Sequence, residues 1–277
     1  MNASSEVTPS SWASVDTPDG VPAPERLAGL LAGGGDRPRP HAWRMAELVG
    51  RLLVRPPTGP LLELLPGIRE LQVELARAAA RRDPDRLEEA LLQLYEHLHL
   101  TEAPYTRAER TRMDAAGGYW CHAGGLSPIL HALPWIGPDT VSADLGAGNG
   151  LQGLLLQVLR PHRRTLQVEI SSGAVEIGRQ LQAWLGVPEA AVEWVVADLL
   201  EPGIVERVVE CDLLLLYRPV RPESPGDQVY RRIAAALASS SRQTVVLSVA
   251  DCLRGFLPDG FLELYGDGQL TVLQRRT

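Results

Sequence analysis

Apolar residues in the first hundred positions recur at helical intervals. Leu61, Leu62, Leu65, Ile68, Leu71 and Leu75 follow one another every three or four residues, and so do Leu87, Leu91, Leu94 and Leu98. That spacing predicts amphipathic helices between Pro24 and about Thr101. Pro56-Pro57 and Asp83-Pro84 are expected to interrupt them, because proline removes a donor and restricts the residue before it. Near Thr140 the period changes. The runs TVSADL, TLQVEI, VEWVVADL, CDLLLLY and QTVVLSV are nearly continuous and apolar, as strands covered on both faces are. Between them, GLQGLLLQVLR, SSGAVEIGRQLQAWLG and a stretch from about Asp227 to Ala238 have helical periods, with Ser171 and Ser172 available to cap the second. FLELY, Gly-Asp-Gly and QLTVLQR predict a terminal antiparallel hairpin. The fold class that follows is α/β, a Rossmann-like seven-stranded sheet, mostly parallel, with an N-terminal helical region. The expected divisions are a disordered tail over 1–23, rich in Ser, Thr, Pro and Asp, a helical accessory or lid region over 24–135, and the sheet domain over 136–277.

Composition narrows the chemistry. With 45% hydrophobic and 22% charged residues the chain has material for a sizeable core. All 27 of its basic residues are Arg, which excludes a Schiff-base or P-loop lysine. A net charge of −7 offers no long-range attraction to phosphate backbones or anionic lipid, so the expected partner is a small-molecule substrate rather than nucleic acid or membrane. Cys121, Cys211 and Cys252 are odd in number and widely spaced, as reduced thiols are. The polar N-terminus and the lack of a long apolar run lead to the expectation of a soluble, cytoplasmic protein. Oligomeric state is not legible.

The first strand ends in Asp144-Leu145-Gly146-Ala147-Gly148-Asn149-Gly150 and runs directly into a helix. Such a turn lets a ligand approach the main chain, and the helix directs free N–H groups at it. A dinucleotide fingerprint would place glycine at position 151, where this chain has Leu. An acid two residues before the first glycine suits a ligand with an ammonium or sulfonium better than a pyrophosphate.

This segment resembles motif I of class I S-adenosylmethionine-dependent methyltransferases. The resemblance covers about residues 140–277 and implies S-adenosyl-L-methionine as cofactor. Asp144 then corresponds to the acid that holds the methionine amino group, directly or through water. Glu169, at the end of the second strand and nineteen residues after Gly150, corresponds to the ribose-binding carboxylate. Asp198, at the end of the third, corresponds to the acid on the adenine amino group. With them, Gly146, Ala147, Gly148, Gly150, Ile170, Leu199 and Tyr217 form the expected cofactor-binding set. Taken singly, Asp144, Glu169 and Asp198 are also the turn-capping or solvated residues common at strand ends. Their conjunction at three successive strand ends points to a ligand.

On the acceptor side, Leu216-Tyr217-Arg218-Pro219 departs from the Asn/Asp-Pro-Pro-Tyr motif of amide and base methylases. Arg218 is a candidate clamp for an acceptor carboxylate, against the alternative of a surface arginine. The cluster Gly117-Gly118-Tyr119-Trp120-Cys121-His122-Ala123-Gly124-Gly125 has glycine pairs on both sides, as a segment that closes over a cleft would. Tyr119 and Trp120 are candidate walls for a sulfonium and His122 a candidate base, the alternative being aromatic packing on the sheet. Neither His97 with His99 nor Cys121-His122 with His131 has a recognised ligand spacing, so no metal is expected. Asp251 is a candidate substrate contact or helix cap. The leading expectation is methyl transfer to a small molecule. The alternative keeps the cofactor but uses its aminocarboxypropyl group, by alkyl transfer or by cyclisation to azetidine-2-carboxylate, with release of methylthioadenosine. A non-catalytic binding module is the third reading.

Overall fold

The computed structural model describes residues 24–33, 41–99, 105–115, 117–118 and 125–276. The expected tail over 1–23 and the side chains of Tyr119, Trp120, Cys121 and His122 lie outside them. Among the described residues, seven α-helices precede the sheet: α1 (Pro24–Gly33), α2 (Ala42–Leu53), α3 (Gly59–Leu64), α4 (Ile68–Arg81), α5 (Pro84–His99), α6 (Arg107–Ala115) and α7 (Ser127–Ala132). Pro56-Pro57 and Asp83-Pro84 fall between helices as expected. The periodic run from Leu61 to Leu75 is not one helix. Pro66 ends α3, and Gly67, at φ 91°, turns the chain into α4.

The strands are β1 (Val141–Leu145), β2 (Arg164–Glu169), β3 (Val192–Val196), β4 (Leu213–Leu216), β5 (Val245–Val249), β6 (Phe261–Gly266) and β7 (Leu270–Arg275). They form one sheet in the order β3-β2-β1-β4-β5-β7-β6, parallel through β5, with β7 antiparallel to both β5 and β6. Between them run α8 (Leu151–Leu159), α9 (Ser172–Leu185), α10 (Ile204–Val208) and α11 (Asp227–Ser239). Ser171, rather than Ser172, caps α9, its hydroxyl accepting from the Ala174 amide at 3.3 Å. Direction reverses between β1, which leads outward to β2, and β4, which leads to β5. A crevice opens there at the carboxyl ends.

Side chains alternate across the sheet. Leu213 and Leu215 face the α8–α9 side, while Leu214 and Leu216 face α10 and α11. β3 departs from the expectation of a strand covered on both faces. It is an edge strand, half-buried along most of its length, with Val196 53% exposed. Every residue of α8 is buried, because the sheet lies on one side of it and the N-terminal helices on the other. Leu48, Leu75 and Leu91 from those helices share one apolar core with Leu154, Ile177 and Leu215. Residues on both sides of position 135 therefore belong to the same core.

At the amino end of the sheet the His162 ring joins β1, β2 and α8. Its Nδ1 donates to the Arg160 carbonyl at 2.8 Å. Its Nε2 therefore accepts, with the Ser142 and Thr165 hydroxyls at 2.8 and 3.0 Å and the Gln157 amide at 3.2 Å.

Candidate active site

The crevice at the carboxyl ends of β1, β2, β3 and β4 is a cleft whose mouth is open to solvent. The glycine loop forms its floor. Amides of Gly146 and Ala147 both donate to the Val168 carbonyl at 2.9 Å, and the Gly148 amide donates to Glu169 Oε2 at 2.7 Å. Gly148 lines the cleft at φ 58°, and a Cβ there would meet nothing within 4 Å, so the free volume above it is available to a ligand. Gly150 has a different job. It is set back from the cleft wall and lets the Trp194 ring approach, since a Cβ at this position would lie 2.4 Å from the indole.

Asp144 is 1% exposed, and its Oδ2 has no hydrogen-bond partner among the described residues. Burial raises its carboxyl to about 7; the Gly153 amide, in the first turn of α8, offsets part of this and the Glu169 charge adds to it. Glu169 is also raised by burial, against the opposing pull of the Ser171, Gly148 and Ile170 backbones and with a further push from Glu109. Amides of Gly148 and Ser171, at 2.7 and 3.0 Å, each hold one of its oxygens and fix the carboxylate at the cleft wall. Asp198 also lines the cleft, and its Oδ1 accepts from the Leu200 amide at 2.8 Å in an Asx turn. The capping role and the cleft position thus coexist in one residue. Ala147, Ile170 and Leu199 complete this part of the wall.

After β4, Tyr217 is buried, and its hydroxyl, beside the Ile129 backbone, makes no hydrogen bond of normal geometry. Burial first, then the neighbouring Tyr95 and Asp144, push this phenol up. Arg218 lines the cleft with φ 54°, a region that costs a non-glycine residue about 1–3 kcal/mol and is held by surrounding structure at functional sites. Asp251, by contrast, is not in the cleft wall. Its Oδ1 accepts from the Thr271 hydroxyl at 3.0 Å and ties the loop after β5 to β7.

The remaining wall comes from the helical region. Gly118 bridges Val220, and the Arg221 amide donates to the Gly117 carbonyl at 2.7 Å, so the segment leading to Tyr119 and His122 starts beside the loop after β4. His99, Tyr105 and Met113 reach the cleft from α5, the following segment and α6. Glu109 closes a capping box with Thr106, its Oε2 accepting from the Thr106 amide at 2.6 Å, while its Oε1 accepts from the Ser172 amide at 3.2 Å. Burial opposes its charge, but these hydrogen bonds hold the carboxyl below its usual range. Asn149 donates to the Leu98 carbonyl at 2.7 Å and pins the end of α5 to the glycine loop.

Sequence reading missed His99, Tyr105, Met113, Asn149 and Gln152 as cleft residues. Asn149 and Gln152 stood inside and just after the glycine motif, and Thr106-Arg107-Ala108-Glu109 is a readable capping box. Nothing local marked His99. No group of three or more His, Cys, Asp or Glu among the described residues is arranged to hold a metal. Cys211 and Cys252 are buried free thiols.

No protein-family model matches this chain, and no curated protein matches it. Solved structures similar to it include many methyltransferases. The putative methyltransferase yhhF of Escherichia coli is 14% identical over 55% of this chain and 87% of its own, with a TM-score of 0.40. TrmN of Thermus thermophilus is 14% identical over 71% of this chain and 68% of its own, with a TM-score of 0.40. The 1,6-didemethyltoxoflavin-N1-methyltransferase of Burkholderia thailandensis, solved with S-adenosylhomocysteine, is 15% identical over 55% of this chain and 77% of its own, also at 0.40.

Proposed function

We propose that the protein is an S-adenosylmethionine-dependent transferase that methylates a small molecule. The observation that carries this reading is the convergence of Asp144, Glu169 and Asp198 on one cleft at a topological switch point, with a buried Asp144 oxygen left without a partner. An orphan carboxylate oxygen in an apolar site is costly unless a ligand cation completes it. The cofactor would supply an electrophilic carbon on a sulfonium. Asp144 would hold the ammonium, Glu169 the ribose hydroxyls and Asp198 the adenine amino group. Ala147 and Gly148 would floor the site, with Ile170, Leu199 and Tyr217 walling it from water. Arg218 and the segment carrying Tyr119 and His122 would face the acceptor, with Arg218 as carboxylate clamp and His122 as base. The net charge of −7 supports a small-molecule acceptor over nucleic acid. A cytoplasmic location belongs to the same proposal; no helix among the described residues is long and apolar enough to cross a membrane.

A second reading is favoured by the state of Asp144. The Asp144 carboxylate, with an unpartnered buried oxygen at that end of the cleft, could take the proton of a ligand ammonium. The freed amine could then attack its own side-chain carbon, forming C–N as C–S breaks and methylthioadenosine leaves. Incubation with S-adenosylmethionine alone, followed by mass spectrometry of nucleosides, separates the two. Intact cofactor, with S-adenosylhomocysteine formed only when an acceptor is added, supports methyl transfer. Methylthioadenosine above the spontaneous rate overturns it in favour of the second reading.

A further inference from the structure

Helix α6 crosses the cleft and is tied down beyond both of its ends. Of its nine residues only Glu109 and Met113 are buried, one turn apart on the same face. A short helix with so little apolar surface to bury depends on its anchors. At the amino end Glu109 caps two helices at once. One oxygen accepts from the Thr106 amide of its own capping box at 2.6 Å, and the other from the Ser172 amide, the first of α9, at 3.2 Å. The preceding amide, that of Ser171, donates to Glu169 at 3.0 Å. Two consecutive amides of one turn are thus divided between an acid of the cleft wall and a helix over the cleft. At the carboxyl end the Gly118 amide donates to the Met113 carbonyl at 2.7 Å, and Gly118 bridges Val220 after β4. β2 and β4 flank β1 in the sheet, so a helix tied beside both spans the carboxyl end of β1 and its glycine loop. Met113 and Gly118 line the cleft for this reason.

We propose that α6 is a strap over the cofactor cleft, latched by Glu109 to the first turn of α9, and that release of this latch gates entry and departure of the ligand. The inference rests on the cofactor reading above. Glu109 acts through the strap and touches no ligand, so it is a positioning residue. Its latch is the anchor that can let go. One side chain makes it, between segments 63 residues apart, whereas backbone groups tie the Gly118 end. The Glu109 charge also pushes the Glu169 carboxyl up, a like-charge repulsion that opposes the closed arrangement. A buried carboxylate is tolerated only while its amides hold it, and water satisfies it once the strap lifts. A gate without ligand contacts slows entry and exit by the same factor and leaves affinity unaltered.

Surface plasmon resonance on the full chain, with S-adenosylhomocysteine as the probe, tests this. Ser172→Pro deletes the donor without touching α6. Proline suits the first position of a helix, and Ser171 before it already has the extended backbone that proline requires, at φ −96° and ψ 119°. Association and dissociation rates should rise together by about 10–100-fold, the worth of one charge-assisted hydrogen bond, with Kd unchanged. Glu109→Ala should do the same, and the double variant should be no faster than either, because both substitutions remove one contact. Glu109→Gln, which offers one oxygen to two amides, should fall between wild type and Glu109→Ala. Faster dissociation alone, with a weaker Kd, overturns the inference and makes Glu109 a support for a ligand contact. Unchanged rates, or additive acceleration in the double variant, overturn it while leaving the cofactor reading intact. Failure of wild-type protein to bind S-adenosylhomocysteine overturns both.

Discussion

Asp144 shows how one side chain trades stability for binding. Its folded value of about 7 exceeds the ordinary 3.8, so the unfolded chain gives up this proton first. The associated stability is complete below pH 3.8 and is lost as pH rises through 7. Asp144→Asn should therefore stabilise the ligand-free protein by about 2 kcal/mol at pH 8 and progressively less toward pH 4, read as the difference in Tm between variant and wild type. The same substitution should abolish S-adenosylmethionine binding. At pH 6 much of Asp144 is protonated, and a ligand ammonium would ionise it. Titrations of the wild-type protein in buffers of different ionisation enthalpy should show proton release on binding at pH 6 that shrinks as pH rises through 7. The acid itself was legible in the sequence, since it stands two residues before a glycine turn. Its burial and missing partner were not, because both depend on what packs around β1.

At the scale of elements, side chains splice separate segments together. Asn149 bonds the last turn of α5 to the glycine loop, so Asn149→Ala leaves the Leu98 carbonyl without that donor at a cost of about 1–2 kcal/mol. Circular-dichroism melts should show that loss, and calorimetry a weaker affinity for S-adenosylhomocysteine as the end of α5 loosens. His162 performs the equivalent service at the other end of the sheet. Burial holds its ring below the ordinary 6.5, with the Arg160 carbonyl opposing, so the ring stays neutral in the folded chain. The stability tied to neutrality is complete above pH 6.5 and is lost as pH falls through the lowered folded value. His162→Leu should cost about 2–4 kcal/mol at pH 7.5, because the Ser142, Thr165 and Gln157 groups lose their hub, with a smaller deficit at pH 5.5. Denaturant unfolding at the two pH values measures it. Sequence periodicity located β1, β2, β4 and β5 because apolar runs are a local property. It misjudged β3, whose exposure follows from its place at the sheet edge.

For the whole molecule, the decisive feature is the helical layer over α8. Because α8 is buried all round and shares its core with the helices before it, the sheet half lacks a complete surface. A chain beginning at residue 136 should aggregate or expose dye-binding apolar surface, while the full chain should unfold in one transition by both fluorescence and circular dichroism. A soluble, cooperatively melting 136–277 fragment would contradict the shared core. The same layering puts His99, Tyr105 and Met113 into the cleft wall, so the helical region forms part of the site itself.

What the sequence determined by itself was whatever neighbouring residues decide among themselves. That includes the strand and helix periods after Thr140, the terminal hairpin, a serine cap at position 171 or 172 and the acid-and-glycine turn with acids at the next two strand ends. Tertiary structure alone decided which strand became the edge, which acid lost its solvent and which distant residues completed the cleft. His99 lies 45 residues before Asp144 and meets the Asp144–Gly150 loop only because Asn149 and Gln152 reach across to α5. No local pattern encodes that approach, since it arises when α8 buries its second face against the helices that carry His99.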